Sequence, residues 1–303
     1  MTLRYAYYPG CVAQGACREL YDATDVVTRS LGIELVELKQ ASCCGSGTFK
    51  ETSQLLEDTV NARNLALAES LQLPLMTHCS TCQGVLGRVN EKLKAAKTSD
   101  TEYFHHVNAT CKQGGCKHAY RGTGDVRHLL WVLVKDYGLD AIRARVRQTL
   151  SGLKCAAFYG CYLLRAQTNN PVDDPHNPKS MENLFEALGA TPIWYRGRTQ
   201  CCGWPLASYA PEQSFRLAGK HVEEAIAAGA DCMVTPCPLC HLNLDSRQPE
   251  VERVVGHQLG LPVLHLPQLV GLALGIAPKQ LGLHHHVVST QPVIAKVRSL
   301  VLA

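Results

Sequence analysis

The sequence predicts an α/β fold of two tandem related domains, each a small parallel sheet flanked by helices, with cysteines on the loops at the strand ends. Three observations predict it. One set of cysteine signatures occurs twice in the same order. Short apolar runs alternate with stretches of helical periodicity, the pattern of parallel strands joined by crossover helices. The chain has 303 residues, enough to bury two cores.

The duplication organises everything else. Tyr7-Tyr8-Pro9-Gly10-Cys11, Cys43-Cys44-Gly45 and Cys79-Ser80-Thr81-Cys82 are matched by Phe158-Tyr159-Gly160-Cys161, Cys201-Cys202-Gly203 and Cys237-Pro238-Leu239-Cys240. Cys44 and Cys79 lie 35 positions apart, as do Cys202 and Cys237. Cys11 and Cys43 are 32 apart, against 40 for Cys161 and Cys201, a difference that a loop insertion makes.

Buried strands are predicted at 4–8, 73–77, 154–159 and 231–235, apolar runs that lead directly into cysteines. Further short apolar runs at 33–38 and 192–195 each follow a Leu-Gly pair. Leu20, Ala23, Thr24, Val27 and Leu31 fall on one helical face, and Leu55, Leu56, Val60, Ala62 and Leu67 form a looser stripe. Residues 180–188 and 211–228 repeat that pattern in the second half. A polar insert at about 95–124 reads as a surface loop, and 126–148 as a helix packed on the first half. A boundary near Ser151 gives domains 1–150 and 151–303. A last strand and helix are expected at 263–266 and 268–275.

Composition narrows the function. Apolar residues make up 46% and charged residues 18%, so the chain folds. Aromatics at 6% are too sparse for a base-stacking platform, and a net charge of +4 is too mild for a polyanionic partner; nucleic acid is therefore not expected. The opening residues lack the apolar run of a signal peptide. Residues 261–277, the longest apolar stretch, are interrupted by His265, Pro267 and Gln268 and are too short to span a bilayer. The expectation is a cytoplasmic protein, peripheral to a membrane only through a complex. In that compartment fifteen cysteines point to metal or redox chemistry and not to disulfide staples.

Each half offers five repeated thiols, one more than a tetrahedral zinc or a cubane cluster takes. Adjacent cysteines point in different directions and suit two metal atoms or a bridging thiolate. Five thiolates therefore argue for a polynuclear iron–sulfur site, although soft thiolates also select zinc or cuprous copper. The glycine after each pair permits a sharp turn and turns backbone N–H groups toward sulfur.

These motifs resemble the B-type subunit of heterodisulfide reductases, the family with paired cysteine-rich CCG domains, over nearly the whole chain. The ending Pro262-Val263-Leu264-His265-Leu266-Pro267-Gln268-Leu269 resembles that family's C-terminal segment. The resemblance implies a non-cubane [4Fe–4S] cluster in each half. Its ligands would be Cys11, Cys43, Cys44, Cys79 and Cys82, then Cys161, Cys201, Cys202, Cys237 and Cys240. It also implies an iron–sulfur electron-transfer partner, with a flavoprotein subunit as a further partner. The likeness is to bacterial and cyanobacterial members. Gly160-Cys161-Tyr162 stands where methanogen enzymes carry Gly-Cys-His, and tyrosine is the weaker acid toward a leaving thiolate. Gly45-Ser46-Gly47 stands where those enzymes tend to carry a proline.

Other candidates lie outside the repeat. His78 and His241 flank ligand cysteines and could move protons; Arg165 could bind an anionic substrate. These three are the catalytic candidates apart from the clusters. Cys111, Cys116 and His118 could hold a separate zinc. Cys155, Cys232 and Cys17 read as core packing, His284-His285-His286 as a solvated or partner-facing turn, and Trp204 as a cover over the second set. No flavin or nucleotide motif occurs.

The resemblance therefore implies an oxidoreductase subunit, active in a complex, that reduces or forms a disulfide or other sulfur substrate. Its set from Cys161 to Cys240 would exchange electrons with the partner, or both sets would act together. The alternative is a quinone-linked electron-transfer subunit of a succinate dehydrogenase-type complex, with 261–277 as its apolar membrane-contacting face. A further alternative is a zinc-stabilised interaction protein.

Overall fold

The computed structural model describes residues 3–165 and 172–299. Each half forms a four-stranded, wholly parallel sheet. In the first half, β1 (Arg4–Tyr7), β2 (Glu34–Glu37), β3 (Leu75–Thr77) and β4 (Val126–His128) run in the order β2-β1-β3-β4. In the second, β5 (Lys154–Ala157), β6 (Thr191–Ile193), β7 (Cys232–Thr235) and β8 (Val263–His265) run β6-β5-β7-β8. The register repeats as well: Thr77 lies beside His128, and Thr235 beside His265. Helices cover the sheets, so Ala6, Met76, Ala156, Met233 and Val234 are fully buried. In each half three strands run out into cysteine loops on the C-terminal edge, where open α/β sheets place their sites.

The halves interlock. The helix Leu266–Ala273 has no polar stripe, and all eight of its residues are buried. It packs on the helix Arg18–Leu31 of the first half, whose inner face carries Leu20, Ala23, Val27 and Leu31. One apolar cluster consequently joins Tyr5, Val27 and Ile33 to Leu153, Phe185, Leu264 and Leu269. Each such leucine contributes roughly 1.5–3 kcal/mol when removed from water.

Three sequence expectations are corrected. The polar insert is helical: the helix Ser80–Ser99 runs into it, and after Asp100 the helix Thr101–Gln113 begins, with the Asp100 side chain accepting from Tyr103 N at 3.1 Å. Residues 126–128 are a strand, because pairing with β3 completes the sheet. The helical segment after them packs on the helix Ser180–Ala187 of the second half, not on the first half alone. Of the apolar stretch 261–277, residues 261–274 are buried in the interior and do not form the expected membrane-contacting face; Gly275 and Ala277 are exposed. No helix among the described residues is long and apolar enough to cross one.

His128 ties β4 to the other half. Its Nε2 lies 3.1 Å from the Pro236 carbonyl, which only accepts, so that nitrogen carries the proton; Nδ1 accepts from Leu130 N at 3.0 Å. Burial pulls its pKa from 6.5 down to about 4. Between those values the unfolded chain binds the proton and the native one does not. Stability is thus full above pH 6.5 and is lost as pH falls toward 4, by on the order of 3 kcal/mol in all. His128→Gln removes this titration. Denaturant unfolding at pH 7.5 and pH 5 is expected to show about 2 kcal/mol less acid loss in the variant; equal losses in both proteins would overturn the assignment.

Candidate metal centre

The two halves build their cysteine loops with the same local devices. After β1 and β5 the chain turns at Gly10 and Gly160, both with positive φ, at 75° and 69°. A β-carbon on either would stand 3.0 Å from the Cys82 sulfur or 3.1 Å from the Cys240 sulfur, so only glycine lets the loop close over them. Gly45 N donates to Cys43 Sγ and Gly203 N to Cys201 Sγ, each at 3.4 Å. Asn61 Nδ2 donates to the Cys44 carbonyl at 3.1 Å and Asn243 Nδ2 to the Cys202 carbonyl at 2.6 Å, which holds each pair in place. Thr77 and Thr235 hydroxyls accept from Cys79 N and Cys237 N at 3.3 and 3.4 Å.

The ten repeated cysteines come together as a continuous chain of sulfur contacts. Cys11 Sγ lies 3.5 Å from Cys43 Sγ, and Cys44 Sγ 3.6 Å from Cys82 Sγ, which in turn meets Cys79. In the second half Cys161 meets Cys201, Cys202 meets Cys240, and Cys240 meets Cys237. The sets abut where Cys79 meets Cys237. There Thr81 Oγ1 sits 3.4 Å from Cys237 Sγ, and Ser80 Oγ donates to the Pro236 carbonyl at 3.1 Å.

This crowding has an electrostatic consequence. In the first set the Cys43 thiol is drawn far below its ordinary range by hydrogen bonds from Cys11 and Cys44 and from Gly45 N, whereas Cys44 is pushed up to about 12, mainly by Cys43. Cys201 is lowered in the same way by Cys161 and Cys202. By themselves the sulfurs share protons, and simultaneous ionisation needs a polyvalent cationic centre. The donor set and the glycine clearance fit a soft, thiolate-bound polynuclear group.

Exposure separates the two sets. Cys11 and Cys43 are exposed, whereas Cys161 and Cys201 are half-buried. A cavity of about 310 Å³ opens over the second set, while the first has a crevice of about 30 Å³. Tyr162, Trp204, Leu239 and Arg247 line the larger cavity, together with Ser46 and Thr81 from the first half. The Arg247 guanidinium lies 4.8 Å from the centre of the Trp204 ring. Tyr162 donates to the Ser46 carbonyl at 3.3 Å, and burial raises its pKa, so it holds its proton.

The histidine and arginine candidates fall elsewhere. His78 is fully buried, with Nε2 donating to the Pro9 carbonyl at 3.0 Å and Nδ1 accepting from Tyr7 Oη at 2.9 Å; burial lowers its pKa to about 3. It braces the loop before Cys11 as a neutral imidazole. His241 is buried behind the second set and bonds the Val263 carbonyl at 3.0 Å. Arg165 is exposed and lies outside the cavity lining; Arg247, which no motif flagged, is the described arginine that lines it. Cys111 and Cys116 are joined in a disulfide and His118 is exposed, so the proposed zinc group has no thiolate to offer in this form. Cys155 and Cys232 are core residues, with sulfurs 3.7 Å apart across β5 and β7. Trp204 does border the second set.

A family model described as a cysteine-rich domain, CCG, matches the chain twice, over residues 5–87 and 155–245. The chain belongs to the CCG cysteine-rich domain family. It is 37% identical over 288 residues to the 8-methylmenaquinol:fumarate reductase membrane anchor subunit of Wolinella succinogenes, covering 95% of this chain and 98% of that one. It is 31% identical to the B-type subunit of the ferredoxin:CoB-CoM heterodisulfide reductase of Methanosarcina mazei, with 97% of each chain covered. A protein of Archaeoglobus profundus, described as similar to the heterodisulfide reductase B-type subunit, is 33% identical, over 92% of this chain and 93% of its own. The crystal structure of a hypothetical protein from Helicobacter pylori superposes with a TM-score of 0.76 at 15% identity, over 94% of this chain and 52% of that one. This chain thus spans about half of that protein, and the likeness is one of fold.

The glycine clearance is testable. Gly160→Ala and Gly229→Ala both place a side chain at positive φ, at a cost of roughly 1–2 kcal/mol, but nothing lies within 4 Å of a β-carbon at Gly229. Gly160→Ala is expected to lower the melting temperature further than Gly229→Ala; equal shifts would show that the Cys240 contact yields freely.

Proposed function

We propose that the chain is the iron–sulfur electron-transfer subunit of a multisubunit reductase. Cys11, Cys43, Cys44, Cys79 and Cys82 would hold one non-cubane [4Fe–4S] cluster, and Cys161, Cys201, Cys202, Cys237 and Cys240 a second. The observation that carries this reading is the joining of two five-sulfur sets at Cys79 and Cys237, with a cavity over one of them. When bound, such clusters supply one-electron transfers, and their adjacency suits a two-electron substrate taken in two steps. Exposure of Cys11 and Cys43 supports the first set as the face for the electron-transfer partner, whereas the sequence alone suggests the second set or both together. That partner, with a flavoprotein beyond it, would hold the chain at a membrane where the complex sits on one.

The cavity residues handle the substrate. Trp204 and Leu239 exclude water, and Arg247 offers its guanidinium to an anionic group. A small disulfide or other sulfur compound is the first substrate class. Its thiolate product would need its proton from solvent, since Tyr162 keeps its own. A quinone is the second class, favoured by the Wolinella relative and by an apolar cavity wall.

Anaerobically purified protein is expected to carry about eight irons and eight labile sulfides per chain, with Cys11→Ser and Cys161→Ser each losing about half of the iron. Zinc in place of iron, without sulfide, would leave the interaction-protein reading. Turnover with organic disulfides against quinols then separates the substrate classes. Arg247→Gln is expected to raise KM about tenfold for an anionic substrate at unchanged iron content; an unaltered KM would remove Arg247 from binding.

A further inference from the structure

The packing of the helix Leu266–Ala273 on the helix Arg18–Leu31 brings two residues of the first half against two of the second, more than 200 positions away. Cys17 and Glu19 stand at the start of the first-half helix. His265 ends β8, and His241 closes the short helix Pro238–His241 in the second half. All four are buried, and one ligand atom from each lies within 4.8 Å of every other. His265 Nε2 is 3.1 Å from a Glu19 carboxylate oxygen, and the Cys17 thiol touches the same carboxylate. The His241 and His265 rings stack with centroids 3.8 Å apart.

The group is unfinished as it stands. His241 bonds the Val263 carbonyl through Nε2, which must carry the proton, and this leaves Nδ1 as a bare lone pair, buried without a hydrogen-bond partner. The Glu19 carboxylate is buried against His265 and Cys17, and among the described residues no lysine or arginine bonds it. Leaving the His241 nitrogen buried without a partner costs on the order of 1–3 kcal/mol.

We propose that Cys17, Glu19, His241 and His265 form a structural zinc site that clamps the two halves together. One sulfur, two nitrogens and one carboxylate oxygen are a closed tetrahedral set for zinc. A thiolate and a carboxylate contribute two negative charges, which a divalent zinc ion cancels, so the buried site becomes neutral. The Val263 carbonyl plays the orienting part usual behind a zinc-bound histidine, fixing the ring so that Nδ1 faces the metal. On the outer side His286 packs edge-on against His241 at 4.8 Å and is held by the Gln268 side chain at 3.0 Å. The site uses none of the ten repeated cysteines, although His241 directly follows Cys240, and does not rest on the cluster reading.

The test is metal analysis and zinc-edge X-ray absorption on the full chain, purified without oxygen after growth with zinc. About one zinc per chain is expected beside the iron, with a shell of one sulfur at about 2.3 Å and three nitrogen or oxygen atoms at about 2.0–2.1 Å. Cys17→Ala and Glu19→Gln are expected to lower zinc affinity about tenfold or more while iron and sulfide stay unchanged. Should those variants fail to fold, the wild-type shell decides alone. A shell of three or four sulfurs would put zinc on the repeated cysteines, and a zinc-exposed chain lacking zinc would show no site; either result overturns the proposal. Iron content is read separately, so a failed cluster reading remains distinguishable.

Discussion

Ten thiols gathered along one seam cannot all ionise unaided, and the molecule is arranged around that electrostatic constraint. The loops that carry them leave the C-terminal ends of parallel strands, the one edge of each sheet where several loops converge. Glycines 10 and 160 permit close approach of backbone to sulfur, and Gly45 and Gly203 lend N–H groups to the sulfur that sheds its proton first. What the sulfurs lack is positive charge. The protein provides geometry for a cationic centre and leaves the charge to it.

Duplication supplies the second half of the design, and the two copies sit in different surroundings. The same devices hold both five-sulfur sets, yet their surroundings differ. The first set reaches the surface through Cys11 and Cys43; the second lies beneath a cavity whose wall includes Ser46 and Thr81 of the first half. Two copies of one domain thus become a path with an exposed end and a sheltered end. In the proposed function the sheltered end is the one that would keep water from a reacting substrate.

Parallel strands, helices and cysteine loops were legible because periodicity and spacing are local properties. Strand β4 was not: Val126-Arg127-His128 is too short to show an alternation, and only its pairing with β3 makes it a strand. Its likeness to Val263-Leu264-His265, each followed by leucine, was the available signal. Residues 261–277 look apolar enough for an outer face, but 261–274 pack in the core, since apolarity alone does not say against what a helix lies. Cys17 packs in the core with Ala13 and Leu20, as its sequence context suggests, but that Glu19, His241 and His265 also surround it shows only in the folded chain. His286 likewise turns inward, while His284 and His285 stay exposed.

The sequence by itself determined the two-fold repeat, the α/β class and the ten cysteines, because each is written in residue identity and spacing. Tertiary structure decided how the halves meet. It put Cys79 against Cys237, opened the cavity over one set alone, chose Arg247 over Arg165, and brought a thiol, a carboxylate and two imidazoles to one buried point. Those outcomes depend on helix-on-helix packing between distant segments, and contacts of that kind leave no period in the chain.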